Sequence, residues 1–196
     1  MALVPDSNYC AACGMPINPA NDRPLFVIEG LTNLFNVVFF ESLMEQELNR
    51  AIRYGHDLSV LVVEIDDLTA LEAAYGYEET NKLIRSVGEA IAQAIRDPDT
   101  LAATNRVAAL GTQRFLVLLP HTNEEGAFRA AEKIRTLLSS TVVELSDGPC
   151  VVTASFGVAT VGPDRGVDAN LVSRATQALI DSRAVGGNRI QVDTSI

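Results

Sequence analysis

Apolar residues recur along the chain at two different spacings, one typical of helices and one typical of buried strands. Helical spacing predicts four helices, over residues 37–52, 68–95, 124–139 and 168–185. Gly55 ends the first helix, because glycine is the usual residue just after a helix. Gly76 is expected to break the second helix early, because glycine is a poor helix former.

Short apolar runs between these helices predict the strands. The runs cover residues 25–28, 58–65, 106–110, 115–119, 150–161 and 189–192. The runs over 106–110 and 115–119 flank Gly111-Thr112-Gln113-Arg114, an arrangement typical of a hairpin. Helices that alternate with strands in this way predict an α/β fold in which helices pack on a sheet.

The N-terminal part of the chain lacks this regular pattern. Residues 1–24 contain four of the eight prolines and two of the three cysteines. The length of the chain fits one domain with an extension. We therefore divide it into an irregular, cysteine-containing arm, residues 1–30, and one domain, residues 31–196.

The arm carries a candidate metal site. Cys10 and Cys13 form a C-x-x-C-G sequence, which is typical of a zinc knuckle. A structural zinc needs four ligands, so two chains would have to share one ion; the alternative is an arm with two free thiols. Cys150 opens a strand, where we expect a buried apolar role. His56 and His121 fall in turns, where we expect them to be exposed.

The overall charge excludes some classes of partner. The formal net charge is −10, so the surface repels nucleic-acid backbones and anionic membranes. The apolar fraction of 47% allows a core without disulfides. No apolar run approaches the roughly 18 residues of a transmembrane helix, and residues 1–10 lack the features of a signal peptide. We therefore expect a cytoplasmic protein that binds neither nucleic acid nor membrane.

Seven short motifs follow one another between residues 31 and 192. They lie at residues 31–36, 53–63, 64–68, 75–77, 115–120, 154–159 and 186–190. In this order and at this spacing they resemble the GGDEF domain of diguanylate cyclases. The resemblance implies a nucleotidyl-cyclase or polymerase-palm-like sheet flanked by helices, and it does not cover residues 1–24. A shared fold does not by itself imply a shared activity.

The resemblance also implies a reaction, which joins two GTP molecules with the help of metal ions. Members of the family hold the metals with an acidic residue at the end of the first core strand and another in the hairpin. Glu64 keeps a carboxylate at the first position, but Arg114 stands at the second. A guanidinium stays protonated and cannot bind a cation. Thr112 adds a β-branched side chain where the family has a glycine beside the nucleotide.

Further positions of the implied nucleotide pocket are changed. Glu72 and Asn81 stand where the family has a guanine-contacting Asn and an Asp that accompanies it. Arg183 matches a Lys near the phosphates, whereas Gly187 replaces an Arg. The remnant of the pocket comprises Glu64, Asp66, Glu72, Asn81, Gly111, Thr112, Gln113, Arg114 and Arg183.

Some inactive members of the family bind the cyclic dinucleotide product at an Arg-x-x-Asp site ahead of the hairpin. Ala102 and Asn105 occupy the matching positions, so the bidentate arginine contact is missing. We therefore do not expect product to bind there.

These changes predict a degenerate domain with no catalytic residue and no bound magnesium–GTP. The predicted function is a regulatory or protein-interaction module, which binds another protein or itself and does not synthesise cyclic di-GMP. The alternative is a sensor that binds GTP or a related nucleotide without turnover. A dimer is expected to use the arm or the first helix around Phe39 and Phe40. We also predict that Arg114 pairs with Glu64 or Asp66 in place of the metal, the alternative being that Arg114 points into solvent.

Overall fold

The computed structural model describes residues 27–96, 99–103, 113–163 and 170–194, and the backbone of residues 17–18 and 23–24. The described helices are α1 (Val37–Tyr54), α2 (Leu68–Ala94), α3 (Glu124–Ser140) and α4 (Leu171–Ala184). The described strands are β1 (Ile17–Asn18), β2 (Arg23–Pro24), β3 (Leu58–Ile65), β4 (Thr100–Ala103), β5 (Arg114–Pro120), β6 (Val142–Leu145), β7 (Gly148–Val151), β8 (Ala154–Val161) and β9 (Ile190–Val192). None of the described helices combines the length and the apolarity that crossing a membrane requires.

A five-stranded sheet forms the centre of the fold, with the strand order β4-β5-β3-β8-β9. The middle strand, β3, pairs antiparallel with β5 and β8, and β9 pairs parallel with β8. Every residue of β3 and β8 is buried, which explains why both sequences are almost continuously apolar. Helices cover both faces of the sheet, so the predicted palm-like α/β architecture is confirmed.

Alternate residues of β3 point to opposite faces of the sheet and join two separate cores. On one face, Leu61 belongs to a core that includes Ile134 of α3. On the other face, Val62 belongs to a core that includes Phe40 of α1. Phe40 is completely buried in this core, so its side chain packs α1 on the sheet and is not part of the exposed surface. A dimer through the arm or through other residues of α1 stays a prediction.

The ends of α1 follow from local sequence signals. Asn36 caps the N-terminus, because its side chain accepts a hydrogen bond from the backbone N–H of Phe39 at 3.0 Å. Gly55 ends the helix in the left-handed conformation, with φ of 66°, and its N–H donates to the carbonyl of Ala51. The predicted break in α2 is confirmed at Gly76, whose φ of 81° and ψ of 169° are not helical.

The strand predictions miss one strand and merge two others. One edge of the sheet is β4, which the sequence does not predict and which pairs antiparallel with β5. The predicted strand over 106–110 lies outside the described residues. The predicted strand over 150–161 is divided into β7 and β8. The division occurs because β7 pairs with β6 in a separate two-stranded sheet. At the gap, the carbonyl of Thr153 accepts a hydrogen bond from the backbone N–H of Asp66 at 3.0 Å.

β8 and α4 approach each other closely at Gly157. A Cβ atom at this position would lie 1.8 Å from the carbonyl oxygen of Ala175 and 2.4 Å from the backbone nitrogen of Leu179. Only a residue without a Cβ lets the helix backbone rest on the strand in this way. The contact fixes α4 against the sheet and so positions the side chains at the C-terminal end of the helix.

Little of the predicted arm falls within the described residues. The backbone of β1 pairs antiparallel with that of β2. At the end of the predicted strand over 25–28, Ile28 forms an antiparallel bridge with Phe35. Cys10 and Cys13 lie outside the described residues, so the shared zinc site stays a prediction.

Candidate functional site

The candidate site is centred on Glu64, which lies near the C-terminal end of β3. The sheet register places Arg114 of β5 on one side of it and Ser155 of β8 on the other. Glu64 shares the face of the sheet with Val62, the face that packs against α4. Its side chain is only 2% exposed. A carboxylate at this depth requires charged or hydrogen-bonded partners.

Two guanidinium groups bind the Glu64 carboxylate, one at each oxygen. Nε of Arg114 donates to Oε2 at 2.6 Å. Nη1 of Arg183, at the end of α4, donates to Oε1. The predicted ion pair of Arg114 is therefore confirmed, with Glu64 and not Asp66 as its partner. Arg183 serves as a second cation for the same carboxylate, and the role near the phosphates that the resemblance implies for it stays a prediction.

Asp66 is bound by uncharged groups instead. Its carboxylate accepts hydrogen bonds from the hydroxyls of Thr153 at 2.7 Å and Ser155 at 2.6 Å. It also accepts one from the backbone N–H of Asn188 at 2.9 Å. Asp66 therefore ties the end of β3 to the start of β8 and to the loop that follows α4.

Arg135 of α3 also contacts the loop that follows α4. Its guanidinium donates to both carboxylate oxygens of Glu132, at 2.8 and 2.6 Å, and to Oδ1 of Asn188 at 3.3 Å. Hydrogen bonding to Arg135 lowers the pKa of Glu132 below its usual value. The three-residue spacing of Glu132 and Arg135 on a helix predicts their pairing, but the sequence offers no signal for the contact with Asn188.

The side chains of this site do not fit a divalent cation. Both oxygens of Glu64 are engaged by arginines, and a guanidinium repels a metal ion rather than coordinating it. The Asp66 carboxylate is occupied by three hydrogen bonds within the fold. Across the described ranges, no group of three or more His, Cys, Asp or Glu side chains is arranged to hold a metal.

The other described pocket residues lie on α2 and just before β5. Glu72 is half-buried and Asn81 is 5% exposed, and both lie on α2, on either side of its kink. Gln113 is fully buried just before β5. The remaining two pocket positions, Gly111 and Thr112, lie outside the described residues.

The sequence also predicts the environments of several residues outside the pocket. Ala102, at the implied product site, is buried in β4, whereas Asn105 lies outside the described residues. The buried role expected for Cys150 is confirmed by its exposure of 7%. His56 and His121 are exposed, as predicted.

Comparison with known proteins places the chain among signalling domains. A family model described as "Diguanylate cyclase, GGDEF domain" matches residues 27–189. Diguanylate cyclase DosC of Escherichia coli (strain K12) is 26% identical over 163 residues, which cover 83% of this chain and 34% of that protein. Diguanylate cyclase A of Treponema denticola is 29% identical over 186 residues, which cover 93% of this chain and 48% of that protein. The chain thus spans a third to a half of the length of these two relatives.

Solved structures show the same fold. The GGDEF domain of DgcB from Caulobacter crescentus, solved in complex with c-di-GMP, has a TM-score of 0.76 and 23% identity, and the match covers 86% of this chain and 94% of that one. The FimX GGDEF domain from Pseudomonas aeruginosa has a TM-score of 0.75 and 19% identity, over 84% and 98% of the two chains. The match of the family model over residues 27–189 establishes that the chain belongs to the GGDEF domain family.

Proposed function

We propose that this GGDEF domain is catalytically inactive and that it acts as a regulatory module, which binds another protein or a second copy of itself. One observation carries the proposal: Arg114 and Arg183 occupy both oxygens of the Glu64 carboxylate. Diguanylate cyclases, the relatives of this chain, catalyse a phosphoryl transfer, which depends on metal ions to neutralise the developing charge. Glu64 is the position at which the family resemblance implies metal binding.

Electrostatics argues against exchange of the arginines for a metal. A divalent ion at Glu64 would have to displace both guanidiniums, which would then remain close to it as like charges. A unit pair at 4 Å interacts by about 4 kcal/mol at an effective dielectric constant of 20. The double charge of the ion and the presence of two arginines multiply this repulsion. Glu64 alone cannot offset it, because Asp66 is already committed to three hydrogen bonds.

A role in protein interaction is supported by the exposed apolar surface of the β6–β7 hairpin. Val142 and Val151 are cross-strand partners, and their exposed fractions are 53% and 49%. Contiguous apolar side chains in solvent mark candidate contact surfaces, whereas isolated ones are ordinary. The net charge of −10 disfavours nucleic acid and anionic membranes as partners and leaves proteins as the class of partner that we propose.

The alternative function is a sensor that binds a nucleotide without turnover. It is favoured by the excess of positive charge at Glu64, where two guanidiniums share one carboxylate. Arginine binds phosphate oxygens through paired hydrogen bonds and needs no metal to do so. The regulatory module is the stronger proposal, because both arginines already have a carboxylate partner.

Thermal melting with and without GTP and Mg²⁺ separates the two functions. For the regulatory module we expect no change in Tm, with ATP as a matched control nucleotide. A ligand present at 100 times its Kd stabilises the native state by about 2.7 kcal/mol, which raises Tm by several degrees in a domain of this size. A rise that occurs with GTP alone and is lost in Arg114→Gln would favour the sensor. A rise that requires Mg²⁺ and is lost in Glu64→Gln would contradict the exclusion of a metal ion from Glu64, on which the regulatory proposal rests.

A further inference from the structure

The two histidines of this chain, its only ones, lie against each other although 65 positions separate them in sequence. The centroids of the His56 and His121 rings are 4.3 Å apart, and the ring planes are inclined by 59°. Both side chains are exposed. Their contact joins the turn before β3 to the turn after β5, at the end of the sheet opposite Glu64. From Leu58 to Glu64 the strand extends by about 20 Å.

The backbone brings the two rings together without help from either side chain. Leu58 pairs with Pro120 in the register of β3 and β5, so the residues just beyond them face each other. His56 follows the cap of α1, and its N–H donates to the carbonyl of Ala51 at 3.0 Å. His121 adopts a left-handed turn conformation, with φ of 52°. The backbone of both ligands is therefore placed before an ion binds, which leaves only the side chains to be ordered.

The chemistry of this position suits a cation that prefers nitrogen ligands. Imidazole binds late first-row divalent ions, at about 2.0–2.1 Å in the case of zinc. Both rings are exposed, so rotation and a small separation of the side chains can turn one nitrogen of each toward a shared ion. Asp57 lines the same depression as the rings, together with Glu47 and Arg50, which form an ion pair with each other. The negative charge of Asp57, and the net charge of the chain, favour accumulation of cations there.

We propose that His56 and His121 form an open two-imidazole site for a late first-row divalent ion, such as Ni²⁺, Cu²⁺ or Zn²⁺. No set of three or more His, Cys, Asp or Glu side chains in the described parts of the chain is arranged around a metal, so water completes the coordination. The site lies at the opposite end of β3 from Glu64. It is therefore independent of whether the domain is catalytically inactive.

The test uses Ni²⁺ alone and the untagged full chain carrying Cys10→Ser and Cys13→Ser, because thiolates also bind these ions. Isothermal titration calorimetry should show a single bound Ni²⁺ per chain. His56→Gln and His121→Gln should each weaken binding more than about tenfold, since only one imidazole remains. Tyr54→Phe is the matched control: its ring lies 6.1 Å from that of His56, and its loss removes no nitrogen ligand. This variant should bind Ni²⁺ as the parent does.

Nuclear magnetic resonance provides a second measurement. Because the chain has two histidines, the signal that disappears in each variant identifies the imidazole signal of the replaced residue. Substoichiometric Ni²⁺, which is paramagnetic, should broaden the imidazole signals of His56 and His121 together. The proposal is overturned if binding is unchanged in His56→Gln or His121→Gln, if only one imidazole signal broadens, or if millimolar Ni²⁺ gives no heat of binding.

Discussion

Replacement of both Arg114 and Arg183 with glutamine is expected to destabilise the protein by about 3 kcal/mol, the lower end of the range for a buried charge that loses its partners. The effect is large because Glu64 is only 2% exposed and both of its oxygens depend on these guanidiniums. Because the two arginines are partly exposed, we do not expect a loss of stability at the upper end of that range. Arg114→Gln alone should cost about 1.5 kcal/mol, the value for one hydrogen bond to a charged group. Urea denaturation monitored by circular dichroism measures the free energy of unfolding of both variants.

Two further variants separate the loss of charge compensation from a general effect of removing arginine. Adding Glu64→Gln to the double variant removes the uncompensated charge and should recover most of the lost stability. Arg129→Gln breaks a pair with Glu125 in which both side chains are more than 70% exposed, and should cost less than about 1 kcal/mol. A double variant as stable as the parent, or one that Glu64→Gln destabilises further, would show that the arginines do not stabilise Glu64.

Gly157→Ala should cost about 3 kcal/mol, the upper end of the usual range for overpacking, because the new methyl group collides with backbone atoms that cannot rotate away. The added Cβ would lie 1.8 Å from the oxygen of Ala175. Relief of the clash requires α4 to move away from β8, which would also draw Arg183 away from Glu64. The measurements are the free energy of unfolding and, if the variant is insoluble, the soluble fraction on expression.

Gly30→Ala is the matched control for this substitution. No atom lies within 4 Å of a Cβ built at Gly30, and its φ is not in the left-handed region. We expect a change within about 0.5 kcal/mol. Equal stability of Gly157→Ala and Gly30→Ala would contradict the close packing of α4 on β8.

Local signals in the sequence are sufficient to predict the helices and the central strand. The apolar run over residues 58–65 coincides with β3, and Gly55 and Gly76 end and break helices where their backbone preferences indicate. The pairing of Arg114 with Glu64 could also be predicted, because the family resemblance places both residues at one metal site. An arginine among retained carboxylates has an obvious partner.

Features that depend on how elements pack could not be predicted. Arg183 reaches Glu64 across 119 positions because α4 rests on β8, and no local pattern contains that information. His56 and His121 meet because of the register of β3 with β5.

The missed strand β4 is short and half alanine, a residue that is depleted in strands. Its place at the sheet edge comes from pairing with β5, which the apolar pattern of four residues does not reveal. The division of the run over 150–161 likewise depends on a tertiary contact, since Thr153 bonds to Asp66 at the gap.

The central claim, that the domain does not catalyse the reaction of its relatives, is tested most directly by incubating the full chain with GTP and Mg²⁺ and separating the nucleotides by chromatography. An active diguanylate cyclase serves as the positive control. With Arg114 and Arg183 on the Glu64 carboxylate, we expect no cyclic di-GMP above a control without protein. Cyclic di-GMP that forms in proportion to the protein concentration, and is lost in Glu64→Gln, would contradict the account.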